Sequence, residues 1–338
     1  MYETSLHKLA YTRDNPFRPT INMDTLYTIM EKFKTFIISV VTAFFALFGY
    51  VTAQSPSDMY RAESFSTGNT PEVVISTSGG RIEVIGNDEN SVHVEMYVQR
   101  RGRYYKSSDT DLSDYDITIR QDGNRVIATA ELKNRGRSWW SGSDNYSVSF
   151  KVYAPVGSTI DGRTSGGSVS AENFTGNVNL RTSGGSVTGN QLTGNSELRT
   201  SGGSITLKEI KGELDARTSG GSISAEDLEG EITLRTSGGS ITIDGSRAAV
   251  SARTSGGTIR ASISELAGDL DLRTSGGGIT INLRDASDFE IDLTGGRVRT
   301  ELRNFTGNMD RGFARGKIGD GGYMISARTS AGSVTLNY

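Results

Sequence analysis

Seven arginines, Arg163, Arg181, Arg199, Arg217, Arg235, Arg253 and Arg273, are each followed by Thr-Ser-Gly-Gly. The spacing is 18 residues five times and then 20. A guanidinium stays charged and matches carboxylate or phosphate geometry. A regular column of them is a stripe for an anionic polymer, such as a polysaccharide or the phosphates of lipopolysaccharide. Stacked about 5 Å apart, such like charges repel by about 1 kcal/mol per pair in water. Asp161, Glu197, Asp215 and Asp271 lie two residues before an arginine, on the same face, and can relieve this. Asn179, Thr233 and Ser251 interrupt the acidic column. The competing reading is a solvated, partly paired face that keeps neighbouring molecules apart. Tandem duplication would also keep the arginines regular without any binding role.

A second candidate lies in two basic–aromatic stretches: Arg-Arg-Gly-Arg-Tyr-Tyr-Lys at 100–106, and 133–140, which ends in Trp139 and Trp140. Adjacent exposed tryptophans often mark a contact. They either stack on sugars or pack a hairpin tip onto the body of the protein.

Other chemistries are poorly supplied. There is no Cys, which excludes disulfides, thiolate metal sites and a Cys nucleophile. His7 and His93 are the only histidines, too few for a His-based metal site or acid–base pair. His93 sits between inward Val92 and Val94 and should face out with Glu95. The glycine pairs are followed by strand rather than helix, so they are turns and not phosphate cradles. Calcium-binding repeats need an Asp in each turn, and these have none. A Thr column such as Thr164 and Thr182 would bind ice only if it faced outward, and alternation turns it inward. Acids on the outer face change from coil to coil, unlike the clusters of polysaccharide lyases and hydrolases. No catalytic, cofactor or metal residue is assigned. A net charge of −3 and a pI near 5.6 argue against general nucleic-acid binding.

The repeat itself sets the architecture. In Glu213–Leu228, Leu214, Ala216 and Thr218 alternate with Asp215 and Arg217, then Ile223 and Ala225 alternate with Ser222 and Ser224. Period two means strand. Ser-Gly-Gly is a turn, in which Gly supplies positive φ at low cost. A second bend falls near Glu229-Gly230, after inward Leu228. One coil cannot bury its apolar face, but stacked coils can. The expected fold is all-β: a single β-solenoid of about 18-residue coils. No Pro follows Pro155, consistent with nearly every N–H joining a ladder. The two extra residues before Arg273 belong at the second bend. Spacings of 7, 5 and 4 among Leu198, Ile205, Ile210 and Leu214 favour an irregular or right-handed coil over three equal six-residue sides.

Residues 54–155 are β-rich but not repetitive and read as an N-terminal cap. The regular repeats occupy 156–292. Residues 293–338, with degenerate copies at Leu293 and Arg328, read as the opposite cap. Residues 30–53 hold Lys32 and Lys34, an apolar run from Phe36 to Tyr50 and a Val-Thr-Ala cleavage site, the three parts of a signal peptide. The run is shorter than the about 20 apolar residues of a membrane span, so no stable span is expected after cleavage. Residues 1–29 show no clear period and precede the basic residues of the leader; translation is expected to begin at Met30 or Met23.

Tandem Thr-Ser-Gly-Gly-Ser-Ile/Val turns behind a signal peptide and an N-terminal β segment resemble a bacterial β-strand-repeat family of exported proteins labelled "putative adhesin". The resemblance covers roughly 72–338 and implies the architecture; the family has no agreed catalytic residues to carry over. The expected function is non-enzymatic, in adhesion or cell-envelope structure and binding. The location is the periplasm, cell surface or exterior, and the partner a polysaccharide or other anionic envelope polymer. A self-associating envelope scaffold is the alternative, and a carbohydrate-active β-helix enzyme a more distant one.

Overall fold

The computed structural model describes residues 58–133, 146–284 and 286–338. These form 23 β-strands and no α-helix, with all strands linked into one sheet system. The first nine are β1 (Arg61–Ser66), β2 (Glu72–Thr77), β3 (Ile82–Asn87), β4 (Ser91–Arg100), β5 (Arg103–Tyr105), β6 (Tyr115–Asp122), β7 (Arg125–Leu132), β8 (Ser147–Pro155) and β9 (Thr159–Thr164). Five long strands follow, β10 (Val169–Arg181), β11 (Val187–Arg199), β12 (Ile205–Arg217), β13 (Ile223–Arg235) and β14 (Ile241–Arg253). Nine shorter ones complete the chain: β15 (Ile259–Ile263), β16 (Leu270–Thr274), β17 (Ile279–Leu283), β18 (Phe289–Thr294), β19 (Arg297–Thr300), β20 (Phe305–Asp310), β21 (Phe313–Ile318), β22 (Met324–Thr329) and β23 (Ser333–Asn337).

From β10 to β14 every strand pairs in parallel with the next, residue i beside residue i+18, as in Val169↔Val187 and Leu214↔Ile232. The period-two pattern therefore stacks like on like. Val169, Val187, Ile205, Ile223, Ile241, Ile259 and Ile279 form one buried column. In β10 to β13 the wide bend within the strand is made by a residue in the left-handed region, Asn173, Gln191, Glu209 or Asp227, at φ 52–62°, and in β14 Gly245 takes that place at φ 69°. The next residue, Phe174, Leu192, Ile210 or Leu228, then points into the core. Gly176, Gly194, Gly212 and Gly230, also at positive φ, make the second bend. The two-residue insertion before Arg273 lies where expected, between the end of β15 and the start of β16.

Core volume is balanced coil by coil. Each long strand carries one small and one large inward residue nine positions apart, and their order changes along the stack. The pairs are Ala171 with Leu180, Gly189 with Leu198, Leu207 with Ala216, Ala225 with Leu234, and Ile243 with Ala252. A Cβ on Gly189 would lie 3.3 Å from the Leu198 side chain, so large side chains fill the space the small ones leave.

The order of stacking is not the order of the chain. β22 and β23 insert between β16/β17 and β18/β19, so that Arg328 lies beside Arg273 while Thr294 is one coil further out. At the other end β2 and β3 insert between β7/β8 and β9/β10. Every antiparallel pairing among the described strands falls within 61–153 or 289–318, outside β9 to β17. The edge strand β19 is only four residues, Arg-Val-Arg-Thr, short and charged as edges that resist pairing tend to be.

One expectation is corrected. The glycines of the Ser-Gly-Gly turns do not lie at positive φ. Their second glycine is needed for stacking clearance: a Cβ on Gly185, Gly203, Gly221, Gly239 or Gly257 would lie 2.0–2.1 Å from the carbonyl oxygen of the equivalent glycine one coil earlier. The first glycine of the pair has much more room, with the nearest atom 3.3–3.7 Å from a Cβ on Gly184, Gly202, Gly220, Gly238 or Gly256.

Candidate functional site

Each turn begins with Arg-Thr-Ser at the end of a strand, and alternation sends the three side chains to different places. The Thr hydroxyls are buried: Thr182, Thr200, Thr218, Thr236, Thr254 and Thr274 are each 5–7% exposed. Thr218 Oγ1 donates to the Gly203 carbonyl of the preceding coil at 2.8 Å and accepts from Gly221 N–H of its own turn at 3.3 Å. The same two bonds recur at Thr182, Thr200, Thr236 and Thr254. The Thr column is thus a row of staples between coils, a use of these hydroxyls that the sequence reading did not identify. Serines at the next position, such as Ser201, Ser219 and Ser237, are exposed.

The arginines line up between these columns and the solvated face. Arg181, Arg199, Arg217, Arg235, Arg253 and Arg273, joined by Arg328, form one wall of a groove of about 1090 Å³ that runs along the stack. Its other lining residues are all Thr and Ser. No carboxylate lines it. Arg163 lies one coil beyond the groove lining, paired with Asp161 at 2.7 Å.

The acidic column stands on the side of the arginines away from the groove and neutralises most of them. Glu197 bridges Arg181 at 2.9 Å and Arg199 at 2.7 Å. Asp215 pairs with Arg217 at 2.7 Å and lies 3.6 Å from Arg199. Asp271 bridges Arg253 at 2.6 Å and Arg273 at 2.8 Å. Asp292 joins Arg315 and Arg328 at 2.9 and 2.6 Å. Burial pushes the Asp292 carboxyl up, but hydrogen bonds from the two guanidiniums outweigh it and hold the group below the ordinary range. The carboxylates between arginines relieve the like-charge repulsion of stacking. These half-exposed pairs add little to stability individually.

The other candidates fare differently. Trp139 and Trp140 lie outside the described residues. In the 100–106 stretch, Arg101 and Gly102 form a tight turn at positive φ between β4 and β5. Tyr105 packs edge-on to Tyr146 at 5.3 Å, Tyr104 to Tyr97 at 6.3 Å, and the Arg100 guanidinium lies over the Tyr146 ring. Those side chains are engaged with the protein's own surface. His93 is partly exposed, bonded to Ser64 at 2.8 Å and 3.6 Å from Glu95. Among the described residues no group of three or more His, Asp or Glu is placed to hold a metal ion, and no helix is long and apolar enough to cross a membrane.

Three solved structures are similar at low sequence identity. A putative cell adhesion protein from Clostridium sporogenes is 9% identical, covers 82% of this chain and 98% of its own, and has a TM-score of 0.23. A putative adhesin from Bacteroides fragilis is 10% identical, covers 82% and 95%, and has a TM-score of 0.32. A putative lipid binding protein from Parabacteroides distasonis is 12% identical, covers 82% and 96%, and has a TM-score of 0.38. No curated protein matches the chain. The profile of one family, Toastrack DUF4097, matches residues 51–337, which spans the whole strand system and the staple-and-groove repeat within it. The chain belongs to the Toastrack DUF4097 family.

Proposed function

We propose that this protein is an exported, non-enzymatic β-solenoid of about 18-residue coils, closed by a β-rich N-terminal cap and a C-terminal cap. On this reading it serves adhesion or envelope structure by holding an anionic, hydroxyl-rich polymer, a polysaccharide of the cell envelope, along its Arg/Thr/Ser groove. One observation carries the reading: the groove is lined by Arg, Thr and Ser alone, with the carboxylates held on the other side of the arginines. Guanidiniums supply charge and forked donors, while serine hydroxyls can give or accept hydrogen bonds from sugar hydroxyls.

Replacing Arg199, Arg217 and Arg235 together by Gln is expected to weaken polyanion binding steeply. Parental binding should also fade as salt rises toward physiological strength, where the Debye length is about 8 Å. The melting temperature should change little, because half-exposed ion pairs are worth about 0–1 kcal/mol each. Titration of an anionic glycan array at two salt concentrations checks this. Equal, salt-independent binding by parent and triple variant would remove the groove from recognition.

Export is supported by the leader at 30–53, which lies outside the described residues. Mass spectrometry of the protein recovered from the envelope or medium is expected to give an N-terminus at Gln54. A recovered species that retains residues 1–29 would contradict both the cleavage site and the late start.

A further inference from the structure

We propose that the groove contains one discrete anion-binding point, at Arg235, and that its ligand is a glycan with widely spaced carboxylate or phosphate groups rather than a densely charged polymer. The inference rests on the groove reading above and deepens it.

The observation is a gap in an otherwise complete charge ladder. Arg163, Arg181, Arg199, Arg217, Arg253 and Arg273 each have a carboxylate within 3.0 Å. Arg235 has no ion pair among the described residues, and its Nε is buried without a hydrogen-bond partner. Arg199 and Arg253 also leave Nε unpartnered, but both hold a carboxylate at a terminal nitrogen. The reason for the gap is the strand register. The position that holds Asp215 in one coil holds Thr233 in the next and Ser251 in the one after, before Asp271 resumes the column. A guanidinium left with unused donors and no counter-charge attracts an anion from outside the chain.

The surroundings fix the direction of approach. On the side away from the groove Arg235 borders a depression that contains Glu213, Glu231, Asp215, Asp269 and Asp271. These carboxylates repel an anion arriving from there. On the groove side the lining near Arg235 is Ser219, Ser237 and Ser255, with no carboxylate. An oxyanion therefore meets Arg235 through the groove, where exposed serine hydroxyls can donate to it.

The same ladder limits the ligand's charge density. Arg181, Arg199 and Arg217 on one side, and Arg253 and Arg273 on the other, already share carboxylates. They offer remaining N–H donors more than net charge. A polymer with an anion on every unit would set its further charges beside neutralised arginines and the acids behind them. A mostly neutral sugar chain with an occasional anion matches one open cation flanked by hydroxyls.

The test uses the full chain and two probes: polygalacturonate with most carboxylates methyl-esterified, and a sparsely phosphorylated mannan. Binding to one but not the other identifies the anion as carboxylate or phosphate, and the variants then decide whether it is held at Arg235. Arg235→Gln is expected to weaken binding of the recognised probe at least about tenfold. Thr233→Asp should do the same for a different reason, because the new carboxylate would stand to Arg235 as Asp215 stands to Arg217, at 2.7 Å. Its melting temperature should equal or exceed the parent's, which separates lost binding from lost folding. Arg235→Lys should retain more binding than Arg235→Gln, and Arg181→Gln should weaken binding by a smaller factor than Arg235→Gln. If the parent binds while Arg235→Gln and Thr233→Asp bind equally well, the discrete site is overturned and the groove reading stands. Equal losses from Arg181→Gln and Arg235→Gln also overturn the discrete site. If the parent binds neither probe nor any other polyanion, the groove reading itself fails.

Discussion

Gly221→Ala is expected to destabilise the protein by about 3 kcal/mol or more, while Gly220→Ala, one residue away in the same turn, should cost at most about 1 kcal/mol. A Cβ on Gly221 would sit 2.0 Å from the Gly203 carbonyl oxygen, and backbone cannot rotate out of the way as a side chain can. That oxygen also accepts the Thr218 hydroxyl at 2.8 Å, and Thr218 in turn accepts the Gly221 N–H. Pushing the two coils apart therefore breaks the clearance and the staple together. It leaves a buried hydroxyl, amide and carbonyl without partners, at about 1–3 kcal/mol each. At Gly220 the nearest atom to a new Cβ is 3.4 Å away, an ordinary contact. Urea unfolding of the two single variants checks this. Similar midpoints would mean that the stacking distance is not set by the second glycine.

Leu234→Asp is the second large effect. Leu234 is fully buried in the column that contains Leu198, Ala216 and Ala252. Burying a carboxylate among them, and losing the large member of its coil's Ala225/Leu234 pair, should cost several kcal/mol. Ile223→Asp should behave alike, since Ile223 is 1% exposed. Ser224→Asp lies one residue from Ile223 on the exposed face and should cost less than about 1 kcal/mol. Thermal unfolding followed by circular dichroism separates the two classes. Equal destabilisation at Leu234 and Ser224 would contradict the in/out register, because a slip of one residue exchanges the faces.

Much of this molecule is legible in a single line of sequence. Strand alternation is a local property: Leu214, Ala216, Ile223 and Ala225 can be assigned inward from their neighbours alone, and all four are buried. The 18-residue period then makes the parallel register follow, since stacking like on like buries each apolar column without a polar mismatch. The bend after Leu228 could be placed because Gly230 marks it, and Gly230 lies at φ 111°. Even the break in the acidic column, at Thr233 and Ser251, can be read in one dimension.

Other features depend on what lies one coil away, and no local pattern contains that. The sequence order of the degenerate copies does not reveal that Arg328 stacks directly on Arg273, because that depends on the antiparallel excursion of β18–β21 folding back. The second glycine of each turn looks like a conformational choice when read along the chain; only the neighbouring carbonyl, 18 residues earlier, shows that it is a matter of clearance. The inward Thr column could be placed but not explained, since its acceptor belongs to the previous coil. The candidate site divides in the same way. Periodicity alone determined that the arginines form a column and which carboxylates could pair with them. Tertiary structure decided that the carboxylates lie on one side of that column and a carboxylate-free groove on the other. The two flanks of an arginine side chain are distinguished by where the strand turns in space, and not by alternation along it.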